Sequence, residues 1–500
     1  MTTMAAVDLG AQSGRVALGR FDGERLTLTE LHRFANISVR AHGTLYWDAL
    51  RLYESVLEGL GAAARETGGD VDSVGVDTWG VDFALLDSAG RLMANPVHHR
   101  DARHERGVGA VLERVPAREL YERTGIQLMP INTVFQLGAM AAEDDEQLER
   151  AESLLLLPDL IHYWLSGERT CEFTNATTTA CLDPQSGAWA RDMLELVGIP
   201  ARLFPDVVPP GTTVGTLRED VVEETRLAGA RVIAPATHDT ASAVAAVPLL
   251  RPGAAYISAG TWSLVGLEVA RPLIDDRTFA ANLTNEGGVG GTFRLLKNVT
   301  GLWLLHECRR AWSLDGRDVS FDELVALAEG AEQLCSLVDP DNSVFAAPGD
   351  MPERIREFCA RTGQPVPESV GAIARCALES IALGHARAVA LLRDVTGEAP
   401  PELHIVGGGA RNRLLCQWTA DATGLPVLAG PAEATVIGNL AVQAIALGEI
   451  RSLEEARLVV RASIPLTSYE PGAGSAWNEA GARFEALAAT QPVPQKALTP

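Results

Sequence analysis

A single carboxylate near the middle of the chain sits among residues small enough for a ligand to reach it. Asp239 lies in RVIAPATHDTASAVAAVPLLRPGAAYISAGTWS, residues 231–263, and is followed by Thr240, Ala241, Ser242 and Ala243. The stretch opens on an apolar strand-like run at Arg231 and closes on a second, Ala255 to Ser258, with Gly260-Thr261 directly after it. An uncrowded carboxylate suits proton abstraction. A glycine at a strand end lets backbone approach a ligand that a β-carbon would block. Together they suggest a carboxylate base facing a phosphate cradle. The same aspartate also reads as a plain N-cap of a helix from Thr240 to Val247. Local sequence leaves both open.

Three other clusters carry residue types with chemical uses. In AAVDLGAQSGRVALGRFDG, Asp8 ends an apolar run and Gly10, Ser13 and Gly14 form a turn before a returning strand. Such a turn can aim backbone NH groups at an anion, with Ser13 and Arg15 as side-chain donors and Asp8 placed to hold Mg²⁺. A simple hairpin fits equally. In VDSVGVDTWGVDFALLDSAGRL, Asp77, Trp79, Gly80 and Asp82 cluster at what reads as a second hairpin tip, between Val74–Val76 and Phe83–Leu86. Carboxylates accept hydroxyl hydrogen bonds and an indole packs on C–H faces, so the cluster suits a polyhydroxylated ligand; surface turns share its composition. Gly407, Gly408 and Gly409 follow a strand and precede a helix, where a base or ribose could lie on bare backbone. They do not form G-x-G-x-x-G, which argues against a dinucleotide oxidoreductase. His98-His99-Arg100-Asp101 has no H-E-x-x-H or other zinc spacing.

The elements that must position these groups alternate between strand and helix. Residues 105–165 are mainly helical in pattern, with AAEDDEQLER as a solvated face. Thr174 to Cys181, TNATTTAC, is too rich in threonine for a helix and reads as a loop or cleft wall. Prolines 200, 205, 209 and 210 mark a connector reaching Gly215. ANLTNEGGVGGTFRLLKNVTGLWLLHECRRAW predicts a glycine-turned hairpin running into a helix near Lys297 or Asn298, with Asn298 as its cap or as a ligand contact. A loop over Val344–Pro348 and Asp350 precedes a helix near Pro352, and an apolar-periodic helix spans about 371–392. Glu433, Thr435, Gly438 and Asn439 precede or begin a last helix. Apolar strand, small or acidic residue, glycine turn and apolar strand recur at Val7, Val76 and Ile257. Two such hairpins facing each other across a cleft could grip phosphates from both sides.

Five hundred residues exceed one ordinary core and predict two large domains. Forty-two Lys and Arg against 65 Asp and Glu leave a net charge of −23, which disfavours nucleic acid and anionic membranes as partners. Any anionic ligand then needs metal, backbone NH groups or a few placed cations. Seven scattered cysteines without C-x-x-C predict reduced thiols and a cytoplasmic protein. The N-terminus shows no signal-peptide pattern, and runs such as Leu154–Leu157 are too short to span a membrane. No obligate protein partner is evident.

These motifs, taken in order, resemble the FGGY family of carbohydrate kinases. VDLGAQSGR, GVDTWGVDF, RDAR, ERTGIQ, NTVFQL, PDL, TNATTT, HDTASAV, SAGTWSL, NEGG, LLKNVTGLWLL, LHIVGGG and GNLAVQ occur in register over nearly the whole chain. The resemblance implies an α/β fold of two actin-like, RNase H-type domains, with the active site in the interdomain cleft. It implies a sugar-binding domain at 1–245, a nucleotide-binding domain at 246–490 and a flexible tail at 491–500. The implied activity is ATP- and Mg²⁺-dependent phosphorylation of a ketose, L-rhamnulose first, with L-fuculose and D-xylulose as alternatives. A non-catalytic, nucleotide-switched protein of the same fold is the rival from another class. By position, Asp239 would accept the proton of the sugar 1-hydroxyl, and His238, Thr240 and Gly80 would hold the ketose. Ala11, Gln12, Ser13, Gly14, Arg15 and Thr261 would meet the ATP phosphates, Gly408 the adenosine, and Asn298 and His306 the nucleotide side. Gln12, His306 and His99 depart from the residues usual in the family, Ser, Gln and Tyr respectively.

Overall fold

The computed structural model describes residues 1–249, 251–472 and 474–489. The expected tail at 491–500 lies outside the described residues. Two large sheets organise the chain. The first uses β1 (Thr2–Leu9), β2 (Ser13–Phe21), β3 (Leu26–Ala35), β4 (Ser73–Thr78), β7 (Thr212–Thr216) and β8 (Arg231–Ala234), in the order β7-β8-β4-β1-β2-β3. Between β4 and β7 in the chain, β5 (Phe83–Leu86) and β6 (Ser153–Leu156) pair with each other, and Leu86 also bridges Leu92. The second sheet uses β9 (Ala255–Ala259), β10 (Trp262–Val269), β11 (Thr284–Gly287), β12 (Phe293–Thr300), β13 (Leu403–Val406), β14 (Val427–Ala429) and β15 (Thr467–Tyr469). Their order is β11-β12-β10-β9-β13-β14-β15.

The two sheets repeat one topology. β3-β2-β1 are antiparallel neighbours, and β4 and β8 then join in parallel. β12-β10-β9 are likewise antiparallel, with β13 and β14 parallel. The recurrence expected at Val7 and Ile257 is therefore a real structural repeat. The one expected at Val76 is not a hairpin. β4 is fully buried between β1 and β8, so both of its edges are taken. Val81, at φ 70°, turns the chain away, and β5 pairs with β6 instead.

Helices cover the sheets through apolar stripes. α1 (Ala49–Thr67) buries Leu52, Val56, Leu60 and Ala63, spaced by three or four residues, against the first sheet. Asp48 caps its start, and Gly68, at φ 70°, closes its end in the left-handed conformation. α4 (Val370–Thr396) performs the same task for the second sheet, from a Ser369 cap to a left-handed Gly397. Within residues 83–204 a separate core forms around Val111, Phe135, Leu154 and Leu194, while Leu157, Leu160, Ile161 and Leu165 join the core of the first sheet. At the join, α2 (Asp239–Ala245) packs on α5 (Ala434–Ala446), and α5 also lies on β1 and β4. Met4, Ala6 and Ala17 from the first sheet meet Val244, Tyr256, Ile437 and Leu440 there.

Several local expectations need correction. The helix foreseen near Asn298 begins at Trp303 as α3 (Trp303–Leu314), because Lys297 and Asn298 are drawn into β12 opposite Val265 and Leu264. Thr174–Cys181 is partly helical: one turn at Phe173–Ala176 continues as a 3₁₀ turn at Thr177–Thr179. Threonine hydroxyls make this possible by bonding back to the carbonyls three residues earlier, Thr177 to Thr174, Thr178 to Asn175 and Thr179 to Ala176. The proline-rich connector ends in the edge strand β7, and the helical stretch before residue 165 is broken by β6. All seven cysteines are unpaired. No helix among the described residues is long and apolar enough to cross a membrane.

Candidate active site

Asp239 is the first residue of α2, with His238 in the cap position. It does not cap the helix in the usual way. Its Oδ1 takes the NH of Thr240 at 2.5 Å and the Thr240 hydroxyl at 3.2 Å, and faces Nε2 of His238 at 3.4 Å. Among the described residues no hydrogen bond or ion pair falls on Oδ2, and the side chain keeps 32% of its surface open. One oxygen is anchored and the other is free to act. Burial raises the Asp239 pKa above the ordinary carboxylate value; His238 opposes the rise and Asp8 adds to it.

The loop that delivers Asp239 is held by a buried carboxylate. Glu172 accepts the NH and hydroxyl of Thr237 at 2.9 and 2.8 Å, and the NH of Thr174 at 2.9 Å. Thr237 in turn accepts the NH of Thr78 through its carbonyl, which ties the loop to the end of β4. The His238 NH donates to the Thr174 hydroxyl at 3.2 Å. Glu172 carries no local sequence signal, because its partner Thr237 lies 65 residues away.

The β1–β2 and β9–β10 turns both open onto a single cavity of about 840 Å³ together with Asp239. On the first turn, Asp8, Ala11, Gln12, Ser13 and Arg15 line it, whereas Gly14 does not. Gly14 instead makes room for Phe34, whose ring lies 2.4 Å from where a β-carbon would stand. Arg15 binds Asp8 at 2.7 Å and reaches across to Glu433 at the start of α5, which also pairs with Arg411. Asp8 thus has a cationic partner, and among the described residues no group of three or more His, Cys, Asp and Glu forms a metal cage. On the second turn, the carbonyls of Gly260 and Thr261 accept the NH groups of Leu302 and Trp303, fixing the turn to the start of α3. Thr261 and Asn298 both line the cavity. The Asn298 side chain donates to Gln127 Oε1 at 3.1 Å, across the two halves.

The triple glycine serves three purposes. Gly407 adopts φ 80°, Gly409 lets Ala259 approach to 2.4 Å of its absent β-carbon, and Gly408 faces open space in the cavity wall. A flat group could rest against Gly408 without steric conflict. A 3₁₀ turn follows it, and the helix foreseen here starts only at Arg413. His306 does not line the cavity; it lies on α3 with its ring against Phe321 at 5.2 Å.

Trp79, Gly80, His238 and Thr240 line the opposite wall. Gly80 also packs on Thr178, whose hydroxyl lies 2.8 Å from where its β-carbon would be. Asp82 lies behind this wall. Its Oδ2 accepts the indole NH of Trp47 at 2.6 Å and of Trp79 at 2.7 Å, and meets His99 Nδ1 at 2.7 Å. Burial alone would raise its pKa, but His99 and the Trp79 bond hold it below the usual range. Asp82 therefore orients an indole and an imidazole that face the cavity. Removing it strands two buried indole donors, so Asp82→Ala is expected to lower stability by about 3 kcal/mol or more. A urea midpoint compared with the parent checks this. Asp77 is also sealed off: Asn439 of α5 donates to Oδ2 at 2.6 Å, while Oδ1 has no hydrogen bond. Burial, with Asp8 and Asp239 nearby, pushes its pKa well up, and the Asn439 bond ties it to the other half.

Three further groups at the site were not singled out by residue type. Arg100 lies 5.0 Å from the Trp303 ring and 5.8 Å from the Trp262 ring across the cleft. Glu286 and Arg294, from β11 and β12, converge on His238. Glu286 lies within the NEGG motif, but its partner His238 is 48 residues upstream, and nothing local connects them.

Comparison with known proteins agrees with this architecture. The pattern of the FGGY family of carbohydrate kinases, N-terminal domain, matches residues 3–246, and that of its C-terminal domain matches 255–447. A rhamnulokinase of Bacteroides thetaiotaomicron is 44% identical over 480 residues, 96% of this chain and 98% of the relative. A rhamnulokinase of Pectobacterium atrosepticum is 40% identical, with 98% of each chain covered. Among solved structures, xylulose kinase from Rhodospirillum rubrum superposes with a TM-score of 0.79 at 21% identity, over 98% of each chain. Plasmodium falciparum glycerol kinase with ADP gives 0.78 at 15% identity, over 98% of this chain and 97% of that one. At such identities the structures establish the fold alone, a two-domain α/β sugar-kinase fold.

Proposed function

We propose that this chain, which belongs to the FGGY family of carbohydrate kinases, transfers the γ-phosphoryl group of ATP to the 1-hydroxyl of L-rhamnulose. One observation carries the catalytic part: Asp239 presents an unanchored Oδ2 into the cavity that both hairpin turns line. The substrate is supported by the activity of the rhamnulokinase relatives, about 40% identical over nearly the full chain. We place the domain boundary between residues 245 and 246, at the end of α2, with the strands of the two sheets on either side of it. The cytoplasm, where ATP is available, is the compartment that fits.

In the proposed reaction the 1-hydroxyl oxygen attacks the γ-phosphorus while its proton passes to Oδ2 of Asp239. The bond from the γ-phosphorus to the bridging oxygen breaks, and ADP leaves with that oxygen. Asp239 matters because an alcohol is a poor nucleophile at neutral pH, and a positioned base contributes roughly 10²- to 10⁴-fold. Trp79, Gly80, His238 and Thr240 hold the ketose, with Asp82 fixing Trp79 and His99 from behind. Backbone NH groups of Ala11, Gln12, Ser13 and Thr261 face the phosphates, Ser13 and Arg15 supply side-chain donors, and the adenosine lies on Gly408. Asn298 borders the nucleotide side, whereas His306 and Gly14 act through packing.

Asp8 fits Mg²⁺ bound in the manner usual for that ion, through one carboxylate plus waters and substrate phosphates. Bound there, the metal would neutralise charge on the β- and γ-phosphates. The fit rests on the position of Asp8 in the cavity wall beside the turn.

A panel of ketoses with coupled ADP detection tests the substrate. We expect kcat/KM for L-rhamnulose to exceed that for L-fuculose and D-xylulose by about tenfold or more, the effect of roughly one well-placed polar contact. Equal turnover of all three would sink the substrate, and no ATP-dependent turnover of any would sink the activity.

A further inference from the structure

We infer that Arg294 is a positioning residue that sets the tautomer of His238 and, through it, the direction of the Asp239 carboxylate; the catalytic consequence rests on the role proposed above for Asp239. Arg294 is fully buried on β12, in the half opposite to the one that carries β8 and α2. Its Nε donates to the Gly287 carbonyl at 2.8 Å, and its Nη2 lies 3.0 Å from Nδ1 of His238. A guanidinium has donors only, so Nδ1 must be the acceptor. The proton of the neutral imidazole then sits on Nε2, the nitrogen that faces Oδ1 of Asp239 at 3.4 Å.

Glu286 competes for the same ring nitrogen, with Oε2 3.3 Å from Nδ1. It is held instead by Arg294 at 3.0 Å and makes no hydrogen bond through Oε2. Among the described residues, Asp239, Glu286 and Arg294 are the charged side chains paired with the ring. With Arg294 present, the imidazole turns a positive N–H edge toward Oδ1, the oxygen that Thr240 also anchors. This leaves Oδ2 as the open oxygen. Without Arg294, Glu286 becomes the natural partner of Nδ1. A ring protonated on Nδ1 alone would present a lone pair to Oδ1 and repel it; a doubly protonated ring would draw charge from the base. Either state weakens proton abstraction while leaving the nucleotide side intact. The link joins strands after residue 284 to a base before residue 246, so the second half of the chain tunes the catalytic group of the first.

Histidine-selective ¹⁵N labelling with long-range ¹H–¹⁵N spectra, assigned through His238→Gln, reads the tautomer directly without any sugar. We expect the neutral Nε2–H pattern for His238 in the parent protein. In Arg294→Met the pattern should change to Nδ1–H or to the doubly protonated form. The kcat for the preferred ketose should fall about tenfold or more, as for loss of a hydrogen bond to a charged group, with KM for ATP within about twofold. Arg294→Lys, which keeps a donor, should retain the parent pattern and most of kcat. A parent His238 protonated on Nδ1 overturns the inference, and this holds even if Arg294→Met does not fold. An unchanged tautomer in Arg294→Met, or a changed tautomer with unchanged kcat, also overturns it. Failure of the kinase assignment would appear separately, as a parent protein that turns over no ketose.

Discussion

Replacing Asp239 by Asn is expected to lower kcat for ketose phosphorylation by more than about 10²-fold, with ATP affinity preserved within about twofold. The carboxamide fills the same space and can still accept from Thr240 through one atom. It cannot take a proton. Loss of kcat with nucleotide binding retained is the signature of a group that works mainly in the transition state. Single-turnover kinetics and ATP titration by calorimetry separate the two quantities. If Asp239→Asn keeps more than about a tenth of the parent kcat, the base is elsewhere.

The pH profile provides a second check on the same residue. Burial raises the pKa of Asp239, and a base must be ionised to act. Activity should therefore fall as pH drops through that raised value, and the acid limb of kcat should lie above about 4, where an ordinary aspartate titrates. The residual activity of Asp239→Asn should lack this limb.

Gly438→Ala is expected to destabilise the fold by about 2 kcal/mol or more and to reduce activity with it. A β-carbon at Gly438 would lie 1.7 Å from the Ser242 carbonyl oxygen, so α5 and α2 would have to separate. α2 begins with Asp239, and α5 carries the Asn439 and Gln443 side chains that bond the first sheet at Gly75, Asp77 and Ala5. Pushing these helices apart would therefore move Asp239 as well as loosen the join. Gly109→Ala is the control: it is an exposed helical site with open space around it, and should be neutral or stabilising by up to about 1 kcal/mol. Equal denaturant midpoints for the two variants would show that the helix contact is unimportant.

Much of the framework was legible because it depends on neighbours in the chain. The β1–β2 and β9–β10 hairpins follow from apolar runs interrupted by Gly10 and Gly260. The long helix α4 follows from its apolar period, read over about 371–392 and observed over Val370–Thr396. Asp239 could be picked out from the small residues around it, although the competing cap reading was equally local. The hairpin at Asp77 and the helix at Asn298 failed for one reason. Both segments have strand or helix character by composition, but β4 is claimed on both edges by β1 and β8, and Asn298 is claimed by β10. Pairing with distant strands overrode the local pattern.

The family motifs, read in order, identified the cleft and most of its lining, since each motif is contiguous and its turn chemistry is short-range. Only the tertiary structure showed which acids lie open to the cavity and which are sealed. Asp239 keeps a free oxygen, Asp82 serves Trp47, Trp79 and His99 from behind the wall, and Asp77 is locked by Asn439. Burial and hydrogen-bond partners decide that division, and both depend on chain segments up to several hundred residues apart. By itself the sequence determined the glycine-turned hairpins at Val7 and Ile257 and an aspartate set among small residues. The tertiary structure decided which oxygen of that aspartate is open, because the fixed loop turns Oδ1 to Thr240 and His238, and only the packing of the two halves brings Arg294 to His238.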